Sequence, residues 1–180
     1  MATNFPTSVD AFTNPTANDS LNAPSHATQH INSNDAIEAI EGYLLNGTGA
    51  AWQSYTPTFT NFTLGNGTIT LAKYSQIGKI VNVKVLITLG STSSVSGRIG
   101  ISLPVTATSD NTDRAISVCG LIAGGVSSTG FTTIGASTRA DLYALLASGT
   151  YVTNTNISST IPGTWTTGNT FSTVFTYEAA

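Results

Sequence analysis

The chain has 180 residues, of which 40% are hydrophobic and only 8% are charged, and its formal net charge is −3 at pH 7. This length fits one ordinary domain with an accessory segment, and the apolar content is sufficient for a core. The six Lys and Arg are scattered, which argues against nucleic-acid binding, and no apolar run approaches the roughly 20 residues that span a bilayer.

The charges divide the sequence into two parts. The first fifty residues contain no Lys or Arg but five carboxylates: Asp10, Asp19, Asp35, Glu38 and Glu41. The remainder has six Lys and Arg against four acidic residues, a formal charge of about +2. Thr, Ser and Asn make up roughly a third of the chain, and Thr favours strands. The composition therefore indicates an acidic leader and a β domain whose surface, poor in Lys and Glu, favours assembly.

Residues 1–33 are predicted to form an extended arm that docks on another protein. Pro6, Pro15 and Pro24 oppose helix formation, and the apolar residues are too sparse for a core. A disordered tail is the alternative. The predicted docking residues are Phe5, Val9, Phe12 and Leu21. The start of the chain lacks the basic and apolar regions of a signal peptide, so Sec secretion is not expected.

Residues 34–50 are predicted to form a short helix, over 34–45, followed by a hinge. Ile37, Ile40 and Leu44 are separated by three and then four residues, the spacing of a coiled-coil seam. Isoleucine at both seam positions favours three or four strands over two. Because so short a helix is marginal in water, it needs partners, either identical helices or the following domain.

His26 and His30 continue this seam backwards if the helix begins just after Pro24. In a trimer each histidine would then form a ring of three imidazoles that binds a divalent transition metal or an anion. The alternative is that residues 32–34 interrupt the helix and both histidines form local hydrogen bonds. No other metal or cofactor site is expected.

Residues 51–180 carry strand patterns, and we predict an antiparallel β-sandwich, jelly-roll-like, in a mainly β protein. The clearest strand is 80–89, in which apolar and polar side chains alternate with one exception, Leu86. Residues 140–147 are predicted as a strand, with a short helix as the alternative. The other predicted strands are 55–60, 68–74, 98–103, 114–121 and a closing strand with Phe171, Val174 or Phe175, and Tyr177 inward.

The residues needed for catalysis are not found together. Both histidines precede the β domain, and its one close acidic pair, Asp110 and Asp113, fits a solvated turn better than a Ca²⁺ site. Cys119 stands alone and is predicted to be buried. We therefore expect no enzyme activity. Trp52 and Trp165 either stack on a sugar ring or seal the fold, and packing is the favoured interpretation.

Several segments resemble tailed-bacteriophage virion proteins. In the leader these are FPTSVDAFTNP (5–15), DSLNAPSH (19–26) and HINSNDAIEAIE (30–41), which resemble the N-terminal segment of fibre and appendage proteins. In the β domain they are WQSYTPT (52–58), YSQIGK (74–79), GNTF (168–171) and TYEAA (176–180), which resemble small C-terminal β domains of such proteins.

The resemblance implies a non-enzymatic homotrimer on the virion surface, made in the bacterial cytoplasm and anchored through its N-terminus to capsid, neck or tail proteins. The helix would trimerise it, and the β domain would face outward for decoration, stabilisation or adhesion to a host surface glycan. No collagen-like, long coiled-coil or β-helical shaft is present, which favours a short appendage. The alternative is a carbohydrate-binding module acting through Trp52 or Trp165.

Overall fold

The structure is a computed structural model and describes residues 18, 22, 25–45, 51–109 and 115–180. The chain forms two compact units, Met1–Ala51 and Trp52–Ala180. The predicted docking residues Phe5, Val9, Phe12 and Leu21, and the acidic pair Asp110 and Asp113, lie outside the described residues.

One helix, α1 (His26–Leu45), is described in the first unit. It begins at His26 rather than at residue 34 because Ser25 caps it: the Thr28 N–H points to Ser25 Oγ at 3.4 Å, and the Gln29 N–H donates to the Ser25 carbonyl at 3.0 Å. The prediction of an extended arm was therefore wrong for residues 26–33. No acidic residue lies in the first turn of α1.

The second unit consists of antiparallel strands. They are β1 (Gln53–Ser54), β2 (Phe59–Thr63), β3 (Thr68–Ile77), β4 (Ile80–Thr88), β5 (Ser94–Ser102), β6 (Ala115–Ala123), β7 (Val126–Ala136), β8 (Arg139–Ser148), β9 (Tyr151–Asn156) and β10 (Thr170–Glu178). The predicted mainly β fold with one helix is confirmed by the described residues.

All ten strands belong to one curled sheet. From edge to edge the order is β1, β3, β4, β10, β6, β7, β8, β5 and β2, and β9 also pairs with β8. The sheet curls back on itself, since the Phe62 ring of β2 meets the Phe171 ring of β10 edge to face at 5.1 Å, although these strands are far apart in the order. The two-layer packing expected of a sandwich is thus produced by a single sheet.

The core lies on the concave side of this sheet, and β4 and β10 supply much of it. Alternate residues of β4 are almost fully buried, as predicted: Val81, Val83, Val85 and Ile87. In β10 the inward residues are Phe171, Phe175 and Tyr177, whereas Val174 points outward and is 62% exposed. The predicted strand over 140–147 is confirmed as β8, and the predicted burial of Cys119 is confirmed.

Candidate assembly surface

The most informative surface is a stripe along α1. His26, His30, Ser33, Ile37, Ile40 and Leu44 follow one another at steps of four and three residues, so they lie on one face of a continuous helix. We call these six positions the seam. It spans about 27 Å at the 1.5 Å rise of an α-helix.

The seam is exposed where its side chains are described. Ile37 is 54% exposed and Ile40 is 43% exposed, and His26, His30 and Ser33 are also exposed. The side chain of Leu44 lies outside the described part of the chain. An isolated helix of 20 residues that exposes two seam isoleucines gains little from folding alone. An apolar surface that covered this face would therefore stabilise the helix.

The two halves of the seam differ in chemistry. Ile37, Ile40 and Leu44 make the C-terminal half apolar, whereas His26, His30 and Ser33 make the N-terminal half polar. Ile31 is also 54% exposed, but it lies off the seam. The apolar half can associate by burying surface, and the polar half needs hydrogen bonds or a ligand if it is to be covered as well.

The two histidines contact each other directly. Their Nε2 atoms are 3.1 Å apart, the ring centroids are 4.4 Å apart, and the rings are nearly perpendicular at 89°. A neutral imidazole has one N–H donor and one acceptor nitrogen. The contact is therefore a single hydrogen bond if one Nε2 carries the proton, whereas both Nε2 atoms present a lone pair to the same position if neither does. Within the described ranges, no group of three or more His, Cys, Asp or Glu is placed to hold a metal ion.

Trp165 serves the packing of the β domain. Its Nε1–H points to the carbonyls of Ser158 and Ile161, at 3.0 and 3.3 Å, and its ring lies edge to face against Phe171 at 6.5 Å. The indole thereby fixes the loop before β10 onto the core. These contacts match the interpretation that Trp165 seals the fold.

Trp52 is the more accessible tryptophan, with 43% of its surface exposed. The Lys84 ammonium lies 3.9 Å from its ring centroid, a distance at which a cation is attracted to the ring face. A sugar that stacks on Trp52 must therefore share the ring with Lys84.

A buried charged cluster lies where β5 and β8 pair. Asp141 is 1% exposed, and its carboxylate is bonded by Arg139 at 2.6 Å and 3.1 Å and by Arg98 at 3.1 Å. This bonding raises the pKa of Arg139. Because both carboxylate oxygens are occupied by guanidinium groups, the cluster is suited to holding strands together rather than to proton transfer.

The outer face of the sheet carries an apolar patch. Val118 of β6 and Val174 of β10 lie on adjacent strands and are 67% and 62% exposed, and Ile122 further along β6 is 44% exposed. Contiguous exposed apolar residues often mark contact sites between proteins.

No helix in the described ranges is both long and apolar enough to span a bilayer. Comparison of the chain with protein-family models, with curated proteins and with solved structures gives no match.

Proposed function

We propose that this chain is a bacteriophage virion structural protein, a short trimeric appendage that is anchored by its N-terminal arm and displays its β domain outward. The observation that carries the proposal is the exposed seam of α1. The function of the β domain is then decoration or stabilisation of the particle, or adhesion to the host surface.

The apolar half of the seam supports association of identical helices. Complete burial of a fully exposed isoleucine contributes about 1.5–3 kcal/mol, and Ile37 and Ile40, which are 54% and 43% exposed, would each contribute about half of that at a threefold axis. In the heptad nomenclature Ile37 occupies position a and Ile40 position d, and isoleucine at both favours three or four strands over two. The choice of three follows the resemblance of the leader to phage fibre proteins.

The composition is consistent with a protein that works within a larger particle. Only 8% of the residues are charged, so the β surface is covered mainly by hydroxyl and amide side chains. Such a surface pays little entropy when it packs against neighbouring subunits. The patch of Val118 and Val174 offers a further contact face.

The trimer is tested by measuring the molar mass of the full chain at micromolar concentration by sedimentation or light scattering. We expect three chains for the wild type and one chain when Ile37→Asp and Ile40→Asp are combined, because six carboxylates cannot be buried together on an axis. Ile31→Asp is the matched control, since Ile31 is an equally exposed isoleucine of the same helix off the seam. A monomeric wild type would contradict the trimer.

The anchor is tested separately by deleting residues 1–24, which leaves Ser25 and the whole of α1 intact. We expect this variant to trimerise but not to join virions. If it is incorporated like the wild type, the anchoring role of the arm is wrong.

A carbohydrate-binding module remains the second candidate, and the exposure of Trp52 is the observation that favours it. A glycan array probed with the wild type and with Trp52→Ala tests it. Tyr151→Ala is the control because Tyr151, the first residue of β9, is 76% exposed. Signals lost only in Trp52→Ala would support glycan binding, and an array without signals would favour decoration.

A further inference from the structure

We propose that His26 and His30 form a divalent transition-metal site that is completed by the same two residues of the other chains. The proposal rests on the trimer proposed above. It gives the polar half of the seam a function: a bound ion would hold together the end of the helix bundle where no apolar side chain can do so.

The geometry of the pair fits a metal ion. Imidazole nitrogens bind Zn²⁺ and similar ions at about 2.0–2.1 Å. Two nitrogens 3.1 Å apart, each about 2.05 Å from one ion, subtend an angle of about 98° at that ion. This value lies between the octahedral angle, about 90°, and the tetrahedral angle, about 109°, so both nitrogens can bind one ion without moving apart.

The local structure prepares the pair for binding. Residues four apart lie on the same face of a helix, and the Ser25 cap fixes the first turn, to which His26 belongs. Both side chains are exposed, so an ion has access to them in the free chain.

The chain alone supplies too few ligands. No third His, Cys, Asp or Glu is placed near the pair among the described residues, and a stable site needs four to six ligands. Both histidines lie on the seam, so a threefold axis along it brings together three pairs. A single ion on the axis then has up to six imidazole nitrogens, a set that suits Ni²⁺ or Co²⁺ in octahedral geometry and Zn²⁺ with fewer nitrogens.

The experiment uses the full chain, stripped with a chelator and dialysed, and Ni²⁺ as the probe. Calorimetric titration and metal analysis after desalting give the stoichiometry, and thermal unfolding gives the stabilisation. We expect one Ni²⁺ per three chains and a rise in Tm of several degrees at saturating Ni²⁺. In His26→Gln and His30→Gln we expect binding to weaken at least a hundredfold. Ser33→Ala, a seam position without a ligand, should bind like the wild type.

The outcomes separate the site from the trimer. A trimer that binds no Ni²⁺, or binds it equally well in both Gln variants, would overturn the metal site and leave the trimer intact; the contact of His26 and His30 would then be a hydrogen bond. A monomer that binds one ion per chain through both histidines would overturn the shared site and the trimer together. The Gln variants should remain helical by circular dichroism, which shows that loss of binding is not loss of folding.

Discussion

At the scale of single residues, Asp141 connects two strands of the β domain, because its buried carboxylate pairs with Arg98 of β5 and Arg139 of β8. We expect Asp141→Asn to lower the free energy of unfolding by about 2–4 kcal/mol, since it leaves two guanidinium groups with no counter-charge. The lower part of the range is appropriate because the Arg98 and Arg139 side chains are 35% and 32% exposed and water can reach them. Urea unfolding measures the change.

The surface pair of Lys79 and Glu178 supplies the control for this prediction. Their charged atoms are 4.0 Å apart, and the side chains are 64% and 51% exposed. Glu178→Gln should therefore change the stability by less than about 1 kcal/mol. If Asp141→Asn and Glu178→Gln lowered the free energy of unfolding equally, the buried ion pair of Asp141 would contribute no more to stability than a surface pair.

The same carboxylate depends on two glycines. A Cβ added to Gly135 would lie 2.1 Å from Asp141 Oδ2, and one added to Gly100 would lie 2.6 Å from the Arg139 Cδ atom. Side chains at these positions would displace the ion pair, so the absence of a side chain is what allows the charged groups to approach the sheet backbone.

Buried acidic groups, among them Cys119 and Tyr177, make the free energy of unfolding depend on pH in the alkaline range. Burial raises the pKa of the Cys119 thiol from 9.0 to about 12 and that of the Tyr177 hydroxyl from 10.0 to about 12. Both groups stay protonated in the folded chain while the unfolded chain ionises. Their contribution is therefore complete below pH 9 and decreases as the pH rises from 9 towards 12.

We expect the free energy of unfolding measured in urea to be level between pH 7 and 9 and to fall above pH 9, with a slope of up to about 1.4 kcal/mol per pH unit for each group. In Cys119→Ala the decrease should begin about one pH unit higher, because the hydroxyls of Tyr177 and Tyr55, whose pKa values burial raises from 10.0, are then the first of these groups to ionise in the unfolded chain. A decrease that begins at pH 9 in both proteins would contradict the assignment to Cys119.

At the scale of elements, α1 is weakened by a glycine in its last third. Gly42 lies in the helix, and a Cβ built on it meets no atom within 4 Å. Alanine should therefore fit without strain, and Gly42→Ala should stabilise the helix by about 1 kcal/mol. Gly42 is also off the seam, so the number of chains should not change.

The measured quantity is the protein concentration at which the oligomer dissociates. Sedimentation reports the molar mass, and the circular dichroism signal at 222 nm reports the helix content. We expect Gly42→Ala to dissociate at a lower concentration than the wild type, with the same molar mass when assembled. Gly42→Ser is an intermediate control, because serine is a poorer helix former than alanine. A variant that assembles less tightly would show that Gly42 is needed for another contact.

The elements differ in how well the sequence predicts them, for physical reasons. Strand β4 was predicted almost residue by residue because one of its faces is buried and the other is wet, so its apolar residues alternate. Strand β7 was not predicted, because a polar residue, Thr132, takes an inward position that the pattern would assign to an apolar residue. Thr132 is fully buried, and its hydroxyl contacts the Thr173 hydroxyl of β10 at 2.6 Å. A sequence pattern cannot show that a distant strand supplies this partner.

The helix was half predicted for a similar reason. Ile37 and Ile40 predict the seam, but most residues in 26–33 are polar and several are poor helix formers. The beginning of the helix therefore depends on the Ser25 cap, which the apolar spacing does not predict. Stepping backwards along the seam placed His26 and His30 on the same face, and the continuous helix agrees with that placement. The distance between the Nε2 atoms of His26 and His30 cannot be predicted from the sequence, because it depends on the side-chain conformations.

At the scale of the whole molecule, the core and the seam belong to separate units. Every member of the described hydrophobic core lies between Phe62 and Ala179, inside the second unit, whereas the seam lies in the first. The β domain therefore has its own source of stability, and the helix has a surface for association that this core does not use. Folding and assembly should be separable in one chain.

The last prediction tests this separation with a fragment comprising residues 52–180, which contains all ten strands. We expect the fragment to unfold cooperatively, because no core residue is removed. Its free energy of unfolding should lie within about 1 kcal/mol of that of the β domain in the full chain with Ile37→Asp and Ile40→Asp. Sedimentation should give a monomer. A fragment without a cooperative transition would mean that the first unit is needed for folding.

A trimeric fragment would mean that the chains associate through the sheet rather than through α1. The combined variant Val118→Lys, Val174→Lys would then show whether the outer patch is the interface, because burying six ammonium groups would prevent the chains from associating. Both valines are exposed, so the core would not change.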